Sequence, residues 1–260
     1  MIARTVLRSP LGTLLLALPL LAALTGGPAR AGDMPVVVEL FTSQGCSSCP
    51  PADALAGRLA KRENVLALSF HVDYWDYLGW KDTFASPAHT ERQRAYARSM
   101  RRRTVYTPQM VIDGRHDVVG SHADRVERAI EQAGRDRGAV VPVRFSRHDG
   151  MVVLHIDEAQ LEGDATVWLV RYDKERMQNI RRGENAGHTI TYHNVVRDIR
   201  NLGLWRGQQM EIALSTDDLW NNGPDRCAVI LQRGGHGPVI GAAELPFSEA
   251  SYESRDGYQN

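Results

Sequence analysis

Cysteine is scarce in this chain of 260 residues: there are three, and an odd three excludes a mini-protein held together by a disulfide framework. Charge of one sign is lacking too. Lys and Arg number 31 against 31 Asp and Glu, so the electrostatic footprint of a nucleic-acid binder is missing. No stretch is low in complexity, and no internal repeat is visible. There is no second CxxC, no histidine pair at zinc spacing, no phosphate-binding glycine loop and no hydrolase nucleophile motif. The only long apolar run, Leu11 to Leu24, is too short to cross a bilayer comfortably. What remains is an ordinary globular composition, 43% apolar and 24% charged, long enough for one large domain or two small ones.

That apolar run belongs to a leader. Arg4 and Arg8 precede it, Ala29-Arg30-Ala31 supplies a small-x-small cleavage site, and no cysteine follows to take a lipid. Residues 1–31 therefore read as a cleaved signal peptide. Cleavage removes three arginines and no acid, leaving 28 basic against 31 acidic residues, a net charge of −3. The mature protein is expected in the periplasm or secreted, without a membrane attachment, where disulfides persist. An uncleaved signal acting as an anchor is the alternative.

The mature chain reads as two domains. Residues 32–136 alternate β-rich runs and helical patterns in the order βαβαββα, an α/β domain. Val36 to Phe41 and Val65 to Val72 are continuous apolar runs, as expected of strands buried on both faces. Pro50 to Lys61, Ala88 to Arg103 and Ser121 to Gln132 read as helices, the last with a capping box from Ser121 to Asp124. Asp113-Gly114 reads as a tight hairpin turn. Residues 137–260 carry about seven short strand candidates separated by turns, the pattern of an antiparallel β-sandwich-like domain. Gly134 to Gly138 is the expected boundary.

The chemistry gathers at Cys46-Ser47-Ser48-Cys49, between the first strand and the first helix. Two intervening residues put both sulfurs within disulfide reach. Cys46 is expected to face unpaired backbone N–H groups and the positive end of the helix dipole, which lower a thiol pKa from about 8.5 to between about 3.5 and 7.5. Cys46 then attacks and Cys49 resolves in thiol–disulfide exchange. Half a metal site and a permanent structural staple are the alternatives. Thr107-Pro108 stands before the strand Met110-Val111-Ile112; proline there leaves the Thr107 backbone free to pair with an incoming peptide, or simply starts a strand.

Other residues carry paired readings. Glu39 is a carboxylate in a buried strand, either a proton acceptor for the resolving thiol or a hydrogen-bonded structural acid. His71 and Asp73 share a strand face; they tune Cys46, complete a Cys46–Cys49–His71 copper site, or satisfy one another. Trp75, Tyr77 and Trp80 form either a rim for a protein substrate or an interface plug. Cys227 has no partner once the other two pair and reads as a buried hydrophobe.

Glu39 to Pro50, His71 to Asp76, Tyr106-Thr107-Pro108-Gln109 and Arg182 to Gly187 together resemble a family of exported bacterial thioredoxin-like proteins catalogued as a domain of unknown function. The resemblance spans the mature chain. It implies a thioredoxin-like fold for residues 32–136, with a cis Pro108 facing the CxxC, Cys46 as nucleophile and Cys49 as resolving thiol. Glu39 stands seven residues before Cys46, one more than the thioredoxin spacing. Ser47-Ser48 differs from the commonest thioredoxin and oxidase dipeptides, so reductase, isomerase and oxidase directions stay open. The expected function is an extracytoplasmic thiol–disulfide oxidoreductase without cofactor, acting on protein thiols and disulfides with an unidentified redox partner. A copper-binding or copper-delivery protein is the rival, and a non-catalytic binding module with a permanent disulfide is the third class.

Overall fold

Seven consecutive buried residues, Val36–Thr42, form strand β1, and their parity sorts the core. Successive strand side chains point to opposite faces. Val36, Val38 and Leu40 pack beneath helices α1 (Pro50–Leu59) and α3 (Ala123–Arg135). Val37 and Phe41 pack on the other face with Tyr96 of α2 (Pro87–Ser99) and with strands from the second half. The computed structural model describes residues 34–148, 151–160, 162–215, 219–220 and 223–245. The signal peptide read over residues 1–31 lies outside them. No helix among the described residues is long and apolar enough to cross a membrane.

The fold is mixed α/β, with one large mixed sheet and a second, antiparallel one. Besides β1, the strands are β2 (Val65–His71), β3 (Gln109–Ile112), β4 (His116–Val119), β5 (Val143–His148) and β6 (Met151–Ile156). The chain continues through β7 (Ala165–Asn179), β8 (Thr189–Trp205), β9 (Met210–Ser215), β10 (Arg226–Arg233) and β11 (Val239–Leu245). The large sheet runs β11-β10-β7-β8-β2-β1-β3-β4, with β1 parallel to β2 and antiparallel to β3. Strands β5, β6 and β9 form the second sheet. Val152, Leu154 and Ile156 of β6 pack with Val167, Leu169, Val229 and Leu231 of the large sheet, so a sandwich core does form in the second half.

Three features differ from the sequence reading. The second half does not keep its strands to itself. Four of them extend the first half's sheet, which crosses from one half to the other where Ser69 of β2 pairs with Val195 of β8. Strands β7 and β8 are also far longer than their apolar runs, because their outer ends carry exposed polar residues such as Lys174 and Glu175. Helix α3 starts after His122, without the expected side-chain cap from Ser121. The hairpin turn forms as read: Asp113 and Gly114 both have positive φ, 46° and 63°, as a type I′ turn requires.

Candidate functional site

Cys46 and Cys49 are joined by a disulfide in the turn between β1 and α1. Both are buried, at 2% and 0% exposure, whereas Ser47 and Ser48 lie exposed between them. Cys49 is the N-cap of α1, and the helix begins only at Pro50. The expected donors for Cys46 are therefore missing or used. Pro50 and Pro51 carry no N–H, and the Ala52 and Asp53 N–H groups both bond the Cys49 carbonyl, at 2.8 and 3.1 Å. The sulfur instead meets hydroxyls: Thr107 Oγ1 donates to Cys46 Sγ across 3.2 Å, and Ser48 Oγ stands 3.4 Å away.

Thr107 is held in turn. Trp75 Nε1 donates to Thr107 Oγ1 at 2.7 Å, which occupies one acceptor lone pair and leaves the hydroxyl proton for the sulfur. The Thr107–Pro108 peptide is cis and leads into β3. The Trp75 backbone also lies against the turn: a Cβ on Gly45 would come within 3.2 Å of the Trp75 carbonyl oxygen. Tyr77 stacks on Trp75, with ring centroids 6.4 Å apart, and is 77% exposed. Trp80 turns inward and donates to Gln44 Oε1 at 2.7 Å. Of the three aromatics read as a rim, Tyr77 is presented to solvent, and the two tryptophans brace the turn.

The second half reaches this turn through residues that motif reading left without a role. Asn185 Nδ2 donates to the carbonyls of Gln44 and Cys46, at 2.9 and 3.0 Å. Glu184 Oε2 accepts from the Ser47 N–H at 3.2 Å. Arg182 to Gly187 carried no signal beyond the family resemblance, because a loop 139 residues from Cys46 has no local pattern that places it there.

Glu39 does not reach the cysteines. Its position has the parity of Val37 and Phe41, so it points to the face opposite α1. There Arg92 donates to both carboxylate oxygens, Nε to Oε2 at 2.5 Å and Nη2 to Oε1 at 2.8 Å. Tyr96 also bonds Oε1, and Gln232 bonds the Tyr96 hydroxyl at 2.8 Å. Burial alone would weaken the Arg92 charge; Glu39 more than offsets that and holds it firmly protonated.

A buried acid on the α1 side of β1 is Asp53, in the first turn of α1, four residues after Cys49. Thr42, at the end of β1 and of opposite parity to Glu39, donates to Asp53 Oδ1 at 2.7 Å. Burial pushes the Asp53 carboxyl up to about 7, against the opposing pull of His71 and the Thr42 hydrogen bond. Asp53 Oδ2, His71 Nε2 and the Tyr192 hydroxyl are all buried without a hydrogen-bond partner among the described residues. His71 Nδ1 is engaged by Asp82 Oδ2 at 2.7 Å, an oxygen that also accepts from the Gln44 N–H at 2.7 Å. Burial drives the Asp82 carboxyl upward, yet His71 and the backbone donors Gln44 and Phe84 hold it below the usual range. Asp73, paired with His71 in the sequence reading, bonds Thr90 Oγ1 instead, at 2.6 Å.

Among the described residues no three His, Cys, Asp or Glu side chains are gathered as a metal ion requires. The third cysteine, Cys227, is buried, and burial pushes its thiol up to about 12. It is chemically quiet.

Comparison with known proteins gives a family and a fold. A family model described as a protein of unknown function, DUF1223, matches residues 37–232. The crystal structure of protein AGR_C_4864 from Agrobacterium tumefaciens, a structural-genomics target, is 34% identical. It superposes with a TM-score of 0.71, over 82% of this chain and 95% of that one. HBP35 of Porphyromonas gingivalis is 13% identical with a TM-score of 0.58, over 84% and 76% of the two chains, a likeness of fold alone. No curated protein matches.

Proposed function

The chain belongs to the DUF1223 family of proteins of unknown function, and we propose that it is an extracytoplasmic thiol–disulfide oxidoreductase with a thioredoxin-like catalytic unit. The observation that carries this reading is the contact of Thr107 Oγ1 with the Cys46 sulfur of a CxxC disulfide. It links two segments 61 residues apart that a merely structural staple has no need to join. Further support comes from the strand order β2-β1-β3-β4, with α1 and α3 on one face and α2 on the other. The position of Pro108 at the entrance to β3 and the leader sequence point the same way.

Exchange runs reversibly. A substrate thiolate attacks Cys46 Sγ; the Cys46–Cys49 bond breaks, Cys49 leaves as thiolate and takes up a proton. A second substrate thiol, losing its proton, attacks the substrate sulfur of the mixed disulfide and releases Cys46. Two electrons and two protons pass to the protein, and the substrate dithiol becomes a disulfide. The reverse sequence starts from the Cys46 thiolate and reduces a substrate disulfide. A second dithiol or disulfide protein resets the pair. The Thr107 hydroxyl stabilises Cys46 as leaving group or nucleophile. Asp53, four residues after Cys49 and poised near neutrality, is the group placed to exchange a proton with Cys49.

The test is mixed-disulfide trapping. Cys49→Ala expressed in the native host is expected to hold protein substrates covalently on Cys46, in adducts that a reductant releases. If Cys49→Ala captures nothing that Cys46→Ala/Cys49→Ala does not, the exchange reading fails.

A further inference from the structure

A chain with balanced charge places seven of its arginines around three adjoining cavities. An open cavity of about 480 Å³ is lined by Arg94, Arg98, Arg102 and Arg103, with Thr104 and Val105. A second, of about 450 Å³, shares Arg102 and adds Arg115, Arg125 and Arg128 around Asp117. A third, of about 390 Å³, shares Arg125 and Arg128. Seven arginines line the three cavities against two aspartates, Asp117 and Asp124. Asp117 is already taken, by Arg102 at 2.7 Å and by the Tyr106 hydroxyl at 3.2 Å. Glu91 is taken by Arg98 at 2.5 Å and also attracts Arg94; among the described residues Arg103, Arg125 and Arg128 have no such acidic partner.

The trough leads to the sulfur. Val105 lines the first cavity, and Thr107, which contacts Cys46, is two residues further on, a span of at most about 7 Å. Asp117 and Tyr106 tie that loop to the second cavity. Three adjoining cavities form a site longer than a lone phosphate or carboxylate needs. Their apolar lining is confined to Ala97, Val105, Val118, Ala123 and Ala129, with no leucine, phenylalanine or tryptophan to enter a lipid interface.

Resting on the oxidoreductase reading, we infer that this trough is the docking surface for an acidic polypeptide segment of the substrate or redox partner, which delivers its thiol or disulfide to Cys46. Opposite charge raises the rate of encounter, and salt removes the advantage.

The experiment uses the full mature chain and two dithiol peptides with the same Cys-containing core, one with a six-glutamate tail and one with a six-lysine tail. Exchange with each is timed at 20 mM and at 500 mM salt. The expected ratio of kcat/KM, glutamate over lysine, is about tenfold or more at low salt and near one at high salt. In Arg94→Glu/Arg103→Glu/Arg128→Glu, shown to be folded by its melting temperature, the ratio inverts. Equal rates for both peptides in wild type overturn the docking proposal and leave the redox reading standing. Exchange with neither peptide, together with salt-sensitive, arginine-dependent binding of a cysteine-free glutamate decapeptide, supports the docking surface and sinks the redox reading. Displacement of that decapeptide at equal concentration by inorganic phosphate, or by phosphatidylglycerol vesicles, overturns the assignment to a polypeptide.

Discussion

The hydroxyl of Thr107 donates to the Cys46 sulfur across 3.2 Å, and Trp75 fixes it there by donating to the same oxygen at 2.7 Å. A hydrogen bond to a charged group contributes about 1.5–3 kcal/mol, and about 1.4 kcal/mol moves a pKa by one unit. In the reduced protein, Thr107→Val should therefore raise the Cys46 pKa by about one to two units. Thiolate absorbance near 240 nm across pH reads this directly. Trp75→Phe, which frees the hydroxyl to rotate, should give a smaller shift in the same direction.

Asp53 makes stability depend on pH in a predictable sense. Its folded-state pKa, raised from 3.8 to about 7 by burial, means that the folded protein holds this proton more tightly than the unfolded chain. The stabilisation is full below pH 4 and is lost as pH rises through 7. Asp53→Asn keeps an acceptor for Thr42 and removes the titration. It should be more stable than wild type at pH 8 by a few kcal/mol and show a flatter melting curve against pH from 5 to 8. The pH profile of Cys49-dependent exchange should lose its inflection near 7 in the same variant.

His89 works in the opposite direction. It is buried with its ring nitrogen 3.0 Å from the His71 carbonyl, and burial lowers its pKa to about 4. Stability from a neutral buried histidine is present above pH 6.5 and is lost as pH falls through 4. His89→Gln is expected to make the loss of stability with falling pH shallower in that window, as followed by circular dichroism.

Glu39 should matter for folding and not for exchange. Removing one partner of a buried ion pair costs about 3–5 kcal/mol. Glu39→Gln leaves Arg92 charged and half-paired, so its unfolding free energy from urea titration should fall by that amount. Its exchange pH profile should overlay that of wild type. A shifted inflection in Glu39→Gln with none in Asp53→Asn would reverse the roles assigned to the two acids.

Most strands were legible because burial on both faces writes itself as a continuous apolar run, as in Val65–His71, and burial on one face as alternation, as in Met151–Ile156. The join at Ser69 and Val195 was not, since 126 residues separate the pair and neither carries a local signal. The CxxC spacing singled out Cys46 and Cys49, whereas the role of Thr107 and Pro108 rested on the family resemblance, since spacing alone reads equally as a strand start. That Glu39 shares the parity of Val37 and Phe41 was in the sequence. Which face carries α1 was not, and that alone made Asp53 invisible. Asn185 and Glu184 come from a loop of the second half that only the folded sheet brings to the CxxC turn.

The most direct measurement is redox titration of the folded, mature protein in glutathione buffers, with alkylation and mass spectrometry at each point. The predicted result is reversible cycling of one dithiol, Cys46 and Cys49, under mild conditions, with Cys227 unlabelled throughout and a peptide disulfide turned over by the reduced form. A Cys46–Cys49 bond that opens only when the protein unfolds, with no transfer to the peptide, would contradict a redox role.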